Sequence, residues 1–163
     1  MIRPATLDDA IDFARIYNHY VLNTVITFEE VAVTADDLRA RMTDVWAKSL
    51  PWLTAEVDGV IVGYAYAAPW RVRSAYRFSV ESSVYLDSAH VGHGLGTALY
   101  QALLPLLQAR GVHAVIGGIT LPNLPSVALH ERLGFVPVAR FPEVGFKFDA
   151  WRDVGYWQRI LAP

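Results

Sequence analysis

The hydrophobic period of the chain switches repeatedly, and each switch marks an element. Residues 2–5 read as a short strand, after which Thr6 stands where a helix N-cap belongs, with Asp8 and Asp9 favourably placed in the first turn. Phe13, Ile16, Tyr17 and Tyr20 then recur at helical spacing. The stretch "NTVITFEE" breaks that period, and Thr34 opens a second helix in the same way, with Leu38, Met42 and Val45 on one face. "PWLTAEV" predicts a strand, "DG" a hairpin turn and "VIVGYAYAAPW" the partner strand. "YRFSVESSVYL" predicts a third, longer strand. "HVGHGLGTALY" leads into a helix running to Arg110, with Gly111 just past its end. Pro105 removes a hydrogen bond from that helix and predicts a kink. "VHAVIGGI" reads as a buried strand and "LPNLPSVALHERLGF" as a short helix closed by Gly134. The tail "VGFKFDAWRDVGYWQRIL" reads as a loop and a final strand.

Hairpins first, then strand–helix–strand–helix–strand, predict one α/β domain over residues 1–163 with a mixed sheet and helices on its faces. A hydrophobic content of 53% against 18% charged residues fits a core-rich globular chain. A net charge of −2 gives no general attraction to nucleic acid or to an anionic membrane. With no cysteine, the chain has no thiolate nucleophile and no disulfide. "MIRPATLDD" lacks an apolar signal core, and the longest nearly uncharged run, 60–70, is too short to span a bilayer, so the expectation is a soluble cytoplasmic protein.

The glycines at 92, 94 and 96 sit where a helix starts, although glycine weakens a helix. A Walker A loop is excluded because Thr97, not lysine, follows Gly96. A dinucleotide fingerprint fails because Leu99 stands in its third glycine position and no acid follows about 20 residues on. No Asp or Glu occurs from Ser88 through His130, so a polyanion there would meet no repulsion. Bare N–H groups at a helix N-terminus can hold a pyrophosphate, and the alternative is a turn without a ligand. His90 and His93 have metal-pair spacing, but with no third ligand nearby and no cysteine no metal is expected.

Gly94-Leu95-Gly96 resembles the G-x-G of the coenzyme A pyrophosphate loop, Q/R-x-x-G-x-G/A, of the Gcn5-related N-acetyltransferase (GNAT) superfamily. "PWLTAEVDG", "YAYAAPWRVRSAY", "VESSVY", "LPNLPSVALHERLGF" and "GFKFDAWRDVGYWQ" resemble, in order, its phosphinothricin and methionine sulfoximine N-acetyltransferase branch. The likeness runs from about Tyr17 to Gln158. It implies the GNAT fold, a twisted mixed sheet of about six to seven strands with helices on both faces. It also implies acetyl-CoA as cosubstrate, a small amino-acid-like amine as acceptor, and a homodimer. In one departure, Val91 stands in the Gln/Arg position and Gly92 where a basic residue often sits, so coenzyme binding would lean on main-chain donors.

Alternation along "RFSVESSVY" puts Arg77, Ser79, Glu81, Ser83 and Tyr85 on one strand face and Phe78, Val80, Val84 and Leu86 on the other. Glu81 is either a solvated acid or, as the resemblance implies, the general base. Main-chain N–H groups at Val84, Tyr85 and Leu86 would meet the pantetheine arm and thioester oxygen, unless a neighbouring strand pairs them. The remaining coenzyme contacts would come from Gly92, His93, Gly94, Leu95, Gly96, Thr97 and Ala98, with Asn123 and Ser126. Asn123 could instead cap a turn. His130 shares a helical face with Ser126, and the resemblance implies a role as acid or as thiolate-side hydrogen-bond partner. Substrate contacts would come from Trp70, Arg73 and Tyr76, with Lys147 in a loop covering the site. Arg71, Arg73 and Arg77 would share a strand face if the strand began early, or else form a solvated basic edge. Competing functions are acetylation of a peptide N-terminus or polyamine, and a coenzyme A-binding regulator without turnover.

Overall fold

The computed structural model describes residues 1–162. In chain order the elements are β1 (Ile2–Pro4), α1 (Ala10–Asn23), α2 (Ala35–Ala47), β2 (Trp52–Val57), β3 (Val60–Pro69), β4 (Ser79–Leu86), α3 (Leu95–Ala109), β5 (Ala114–Leu121), α4 (Leu124–Arg132), β6 (Val136–Lys147) and β7 (Ala150–Ile160). The polar starts read from the sequence form as capping boxes. At α2 the Thr34 hydroxyl accepts from the Asp37 N–H at 3.0 Å, while the Asp37 carboxylate accepts from the Thr34 N–H at 2.8 Å. One turn ahead of α1, the Asp9 carboxylate likewise accepts from the Thr6 N–H at 2.9 Å, while the Asp9 N–H donates to the Thr6 carbonyl oxygen at 3.1 Å in a short 3-10 turn.

The strands form one seven-stranded sheet in the order β1-β2-β3-β4-β5-β7-β6. Every neighbouring pair is antiparallel except β4 and β5, which run parallel. That parallel pairing covers only Ser79↔Ala114, Val80↔Val115 and Glu81↔Ile116. Past Glu81, β4 stays on β3 as far as Leu86↔Gly63, while β5 stays on β7 as far as Leu121↔Asp153. The sheet therefore splays open at its centre, leaving one edge of residues 82–86 without a strand partner.

α1 packs on one face, where Phe13 meets Tyr64 at 4.6 Å and Tyr17 meets Tyr85 at 4.9 Å between ring centroids. α3 packs on the other, through buried Leu99, Leu103 and Leu107. Each such fully buried side chain contributes about 1.5–3 kcal/mol. Gly63 lies under this layer, since a Cβ there would fall 2.6 Å from Leu86 and 3.6 Å from Leu99. α3 continues through Pro105 as one helix. Pro105 is exposed, so the carbonyl that loses its donor can turn to water.

Two segments differ from expectation. The third strand begins at Ser79, because residues 74–76 form a 3-10 turn, and the three arginines therefore do not share a strand face. The tail is a hairpin of two long strands instead of a loop and one strand. β6 carries prolines at 137 and 142 and two register irregularities, which only an edge strand tolerates and which hide its alternation. No helix among the described residues is long and apolar enough to cross a membrane.

Candidate active site

The splay between β4 and β5 opens into a cleft of about 800 Å³. Its walls come from β4, the glycine turn with the first turn of α3, β5, the start of α4, residues 26–28, and the β6–β7 hairpin. Glu81, Val84, Tyr85, Leu86, Gly92, Gly94, Leu95, Gly96, Thr97, Asn123, Ser126 and His130, all anticipated from the sequence, line it.

At one end lies the N-terminus of α3. Gly94 is its N-cap, with φ +77°, and Gly92 has φ +81°, both left-handed values that side chains resist. A Cβ at either position would meet nothing within 4 Å, so backbone conformation, not crowding, calls for glycine there. Gly96 differs: a Cβ there would sit 3.2 Å from Leu129, so the third glycine lets α3 and α4 approach. The first helical N–H to bond within the helix is that of Ala98, at 3.0 Å from the Gly94 oxygen. The N–H groups of Leu95, Gly96 and Thr97 precede it, and the first turn carries no acid. Ala98 itself has spent its N–H and does not line the cleft, and neither does His93, which is exposed on the turn. His90 turns toward Asp87, and among the described residues no three His, Asp or Glu side chains converge as metal ligands.

The apex of the splay has two chemically distinct faces. On the α1 face stands Glu81, half-buried, with no side-chain hydrogen bond to another described residue. Burial raises its pKa above the ordinary glutamate value, against a smaller opposing pull from Arg71. Gly118 of β5 lies opposite, and a Cβ there would fall 3.5 Å from Glu81 Oε1 and 3.1 Å from the Tyr156 ring. Tyr156 in turn meets Trp70 edge-on at 5.6 Å, and the Arg71 guanidinium lies 4.8 Å from the Trp70 ring centroid.

On the α3 face, a hydrogen-bonded chain links three elements. Ser82 Oγ is 2.9 Å from Tyr100 Oη, Tyr100 Oη is 3.0 Å from His130 Nε2, and His130 Nδ1 is 2.7 Å from the Ser126 carbonyl oxygen. A carbonyl only accepts, so Nδ1 carries the proton and, in the neutral ring, Nε2 accepts from Tyr100. Burial lowers the His130 pKa, the Ser126 carbonyl partly offsetting it, so the ring rests neutral and without a free N–H toward the cleft. To act as an acid or as a hydrogen-bond donor to the sulfur, His130 would first have to take up a proton at Nε2. The ring also explains Gly117, where a Cβ would lie 2.7 Å from Nε2.

The expected substrate contacts fare less well. Arg73 and Tyr76 are exposed on the 3-10 turn and do not line the cleft, and Trp70 reaches the rim only through Tyr156. Lys147 is not in a covering loop: it ends β6, is buried, and gives its ammonium to three main-chain carbonyls, leaving no N–H for a substrate. Residues missed from the sequence are Ser82, Tyr100, Tyr156 and the Gly117–Gly118 pair. Adjacent glycines within a buried strand were the available signal, since glycine there marks close approach of another group. Tyr100 gave none, standing on the apolar face of α3 among leucines.

Comparison with known proteins finds relatives over almost the whole chain. The acetyltransferase (GNAT) family matches residues 13–135. Phosphinothricin N-acetyltransferase of Streptomyces viridochromogenes is 44% identical over 162 residues, covering 97% of this chain and 86% of that protein. L-methionine sulfoximine/L-methionine sulfone acetyltransferase of Salmonella typhimurium is 37% identical, with 98% and 94% covered. A GNAT superfamily phosphinothricin acetyltransferase from Sinorhizobium meliloti, solved in complex with acetyl-CoA, superimposes with a TM-score of 0.96 at 35% identity, covering 99% of this chain and 88% of that one.

Proposed function

The chain belongs to the acetyltransferase (GNAT) family, and from that premise we propose that Glu81 serves as general base while acetyl passes from acetyl-CoA to the amine of a small amino-acid-like substrate. The acceptor class is that of phosphinothricin, methionine sulfoximine and methionine sulfone, on which its relatives are named to act. The same reading takes the enzyme as a cytoplasmic homodimer. The observation that carries the chemistry is the unpaired, half-buried Glu81 carboxylate sharing one cleft with the free N-terminus of α3.

The N–H groups of the first turn of α3 would receive the coenzyme diphosphate, with Gly92 and Gly94 keeping the approach clear. The open edge of β4 past Glu81 would receive the pantetheine arm and polarise the thioester carbonyl. The acceptor amine would enter on the α1 face. Glu81 takes one proton from the ammonium, the amine nitrogen bonds to the carbonyl carbon, and the carbon–sulfur bond breaks as the tetrahedral adduct collapses, the second nitrogen proton passing to the departing sulfur so that the amide and the coenzyme A thiol are the products. The thiolate leaves toward the α3 face, where Ser82 lines the cleft and, by turning its hydroxyl away from Tyr100, would supply a hydrogen bond. Burial pushes Tyr100 up to about 12, so its hydroxyl keeps its proton and holds it on His130 Nε2. With no cysteine to carry the acetyl group, direct transfer in a ternary complex is the route.

Glu81→Gln tests the reading. The variant should bind acetyl-CoA as the wild type does and lose about 10²–10⁴-fold in kcat at neutral pH, followed by release of free coenzyme A thiol with an amine panel. Unchanged turnover would remove Glu81 from the mechanism.

A further inference from the structure

A buried lysine and a crowded glycine converge on one loop. The Lys147 Nζ donates to the carbonyl oxygens of Val21 at 2.7 Å, Thr27 at 2.8 Å and Glu29 at 2.8 Å. An ammonium has three N–H bonds, so all are used. Burying this charge costs several kcal/mol unless it is fully hydrogen-bonded, whereas an apolar side chain would fill the space without that cost. What the charge secures is the segment between α1 and α2. Two residues before it, Gly145 takes the ring of Phe28: a Cβ there would lie 2.3 Å from that ring. The same segment is tied elsewhere by the Thr27 hydroxyl, 2.8 Å from Tyr17 Oη, and by the Glu29 carboxylate paired with Arg41.

Ile26, Thr27 and Phe28 of this segment wall the cleft together with Val144 and Val154. The wall stands on the α1 face, the side of the sheet that carries Glu81, Ser83 and Tyr85. Neither the N-terminus of α3 nor the open edge of β4 shares a hydrogen bond with Lys147.

We infer that Lys147 is a positioning residue for the amine acceptor, its ammonium fixing the Ile26–Phe28 wall against which the acceptor's side chain packs while its amine meets Glu81. The inference rests on the acyl-transfer reading above. It predicts that the acceptor side chain ends in an apolar group, since Phe28, Val144 and Val154 face it.

The test is steady-state kinetics of Lys147→Met and Phe28→Ala, with methionine sulfone and phosphinothricin as acceptors, alongside hydrogen exchange of residues 24–29. Lys147→Met should raise KM for the amine by about tenfold, leave KM for acetyl-CoA within about twofold, and speed exchange in the loop. Phe28→Ala, which keeps the lysine, should reproduce the amine effect alone. An unchanged amine KM in the folded variant, or equal rises for both substrates, would overturn the inference. If Lys147→Met does not fold, Phe28→Ala and Gly145→Ala decide the same question, and an unchanged amine KM in both overturns it. A wild-type protein that acetylates neither amine would overturn the acceptor class of the acyl-transfer reading instead. Calorimetric binding of the same amines, weakened or not by Lys147→Met, then decides the positioning role.

Discussion

Glu81 and His130 reach the same cleft from opposite faces, and burial acts on both in the direction of neutrality. For Glu81 this has a cost that a solvated acid would not carry. Its folded pKa is raised, so the native state binds more protons than the unfolded chain between the two values, and stability falls as pH climbs through that window. Below the ordinary value both states are protonated and the effect disappears. Glu81→Gln should therefore melt at a higher temperature than wild type at pH 7 and lose that advantage toward pH 4, measured by thermal unfolding across pH. The wild-type kcat/KM should fall on the acid side with a midpoint above the ordinary glutamate value, since only the carboxylate accepts a proton. A midpoint at the solvated value would mean that Glu81 is not the group titrating. Strand alternation placed Glu81 on the face of Ser83 and Tyr85, because period two depends only on backbone pleat, whereas its role as base came from the family resemblance alone. The Ser82–Tyr100–His130 chain was not legible, because it joins residues from three elements whose closeness only the packing of α3 and α4 against the sheet creates.

Among elements, α3 illustrates how a pattern can be read correctly for only part of its reason. Of its glycines, Gly92 and Gly94 serve backbone conformation and Gly96 serves helix packing. Gly94→Ala isolates the first role, since nothing lies within 4 Å of the added Cβ. The left-handed conformation then costs about 1–2 kcal/mol, which the free protein relieves by rotating the N-cap away. Acetyl-CoA affinity should weaken by up to about tenfold by calorimetry, with kcat at saturation little changed; full affinity would move the diphosphate site elsewhere. Helix starts at Thr6 and Thr34 were readable because capping is local. β6 was not, because its pairing with β7 is set by an edge whose prolines and bulges erase alternation. Misreading β6 as a loop is also what misassigned Lys147, since a lysine in a covering loop meets solvent and substrate whereas one at the end of this strand meets main-chain oxygens.

At the scale of the molecule, the β6–β7 hairpin has two jobs on two faces. Val144, Val154 and Tyr156 turn toward the cleft. Phe146 and Trp151, 4.8 Å apart between ring centroids, turn out and are 52% and 63% exposed, with Val136, Val138 and Phe141 exposed along the same edge strand. Exposed aromatic and aliphatic side chains gathered on one edge are expensive to leave in water, and a second copy of the chain is the occupant that the homodimer reading supplies. An interface of ordinary size hides about 800 Å² per partner, which a hairpin of this length can contribute in large part. Trp151→Lys should then convert a species sedimenting at twice the chain mass into a monomer, with helical content unchanged by circular dichroism. Because the hairpin's inner face borders the acceptor wall that Gly145 and Lys147 hold, the monomer should also bind the amine more weakly while keeping acetyl-CoA affinity. Wild-type protein sedimenting at the mass of one chain would leave that apolar edge without this explanation and refute the dimer.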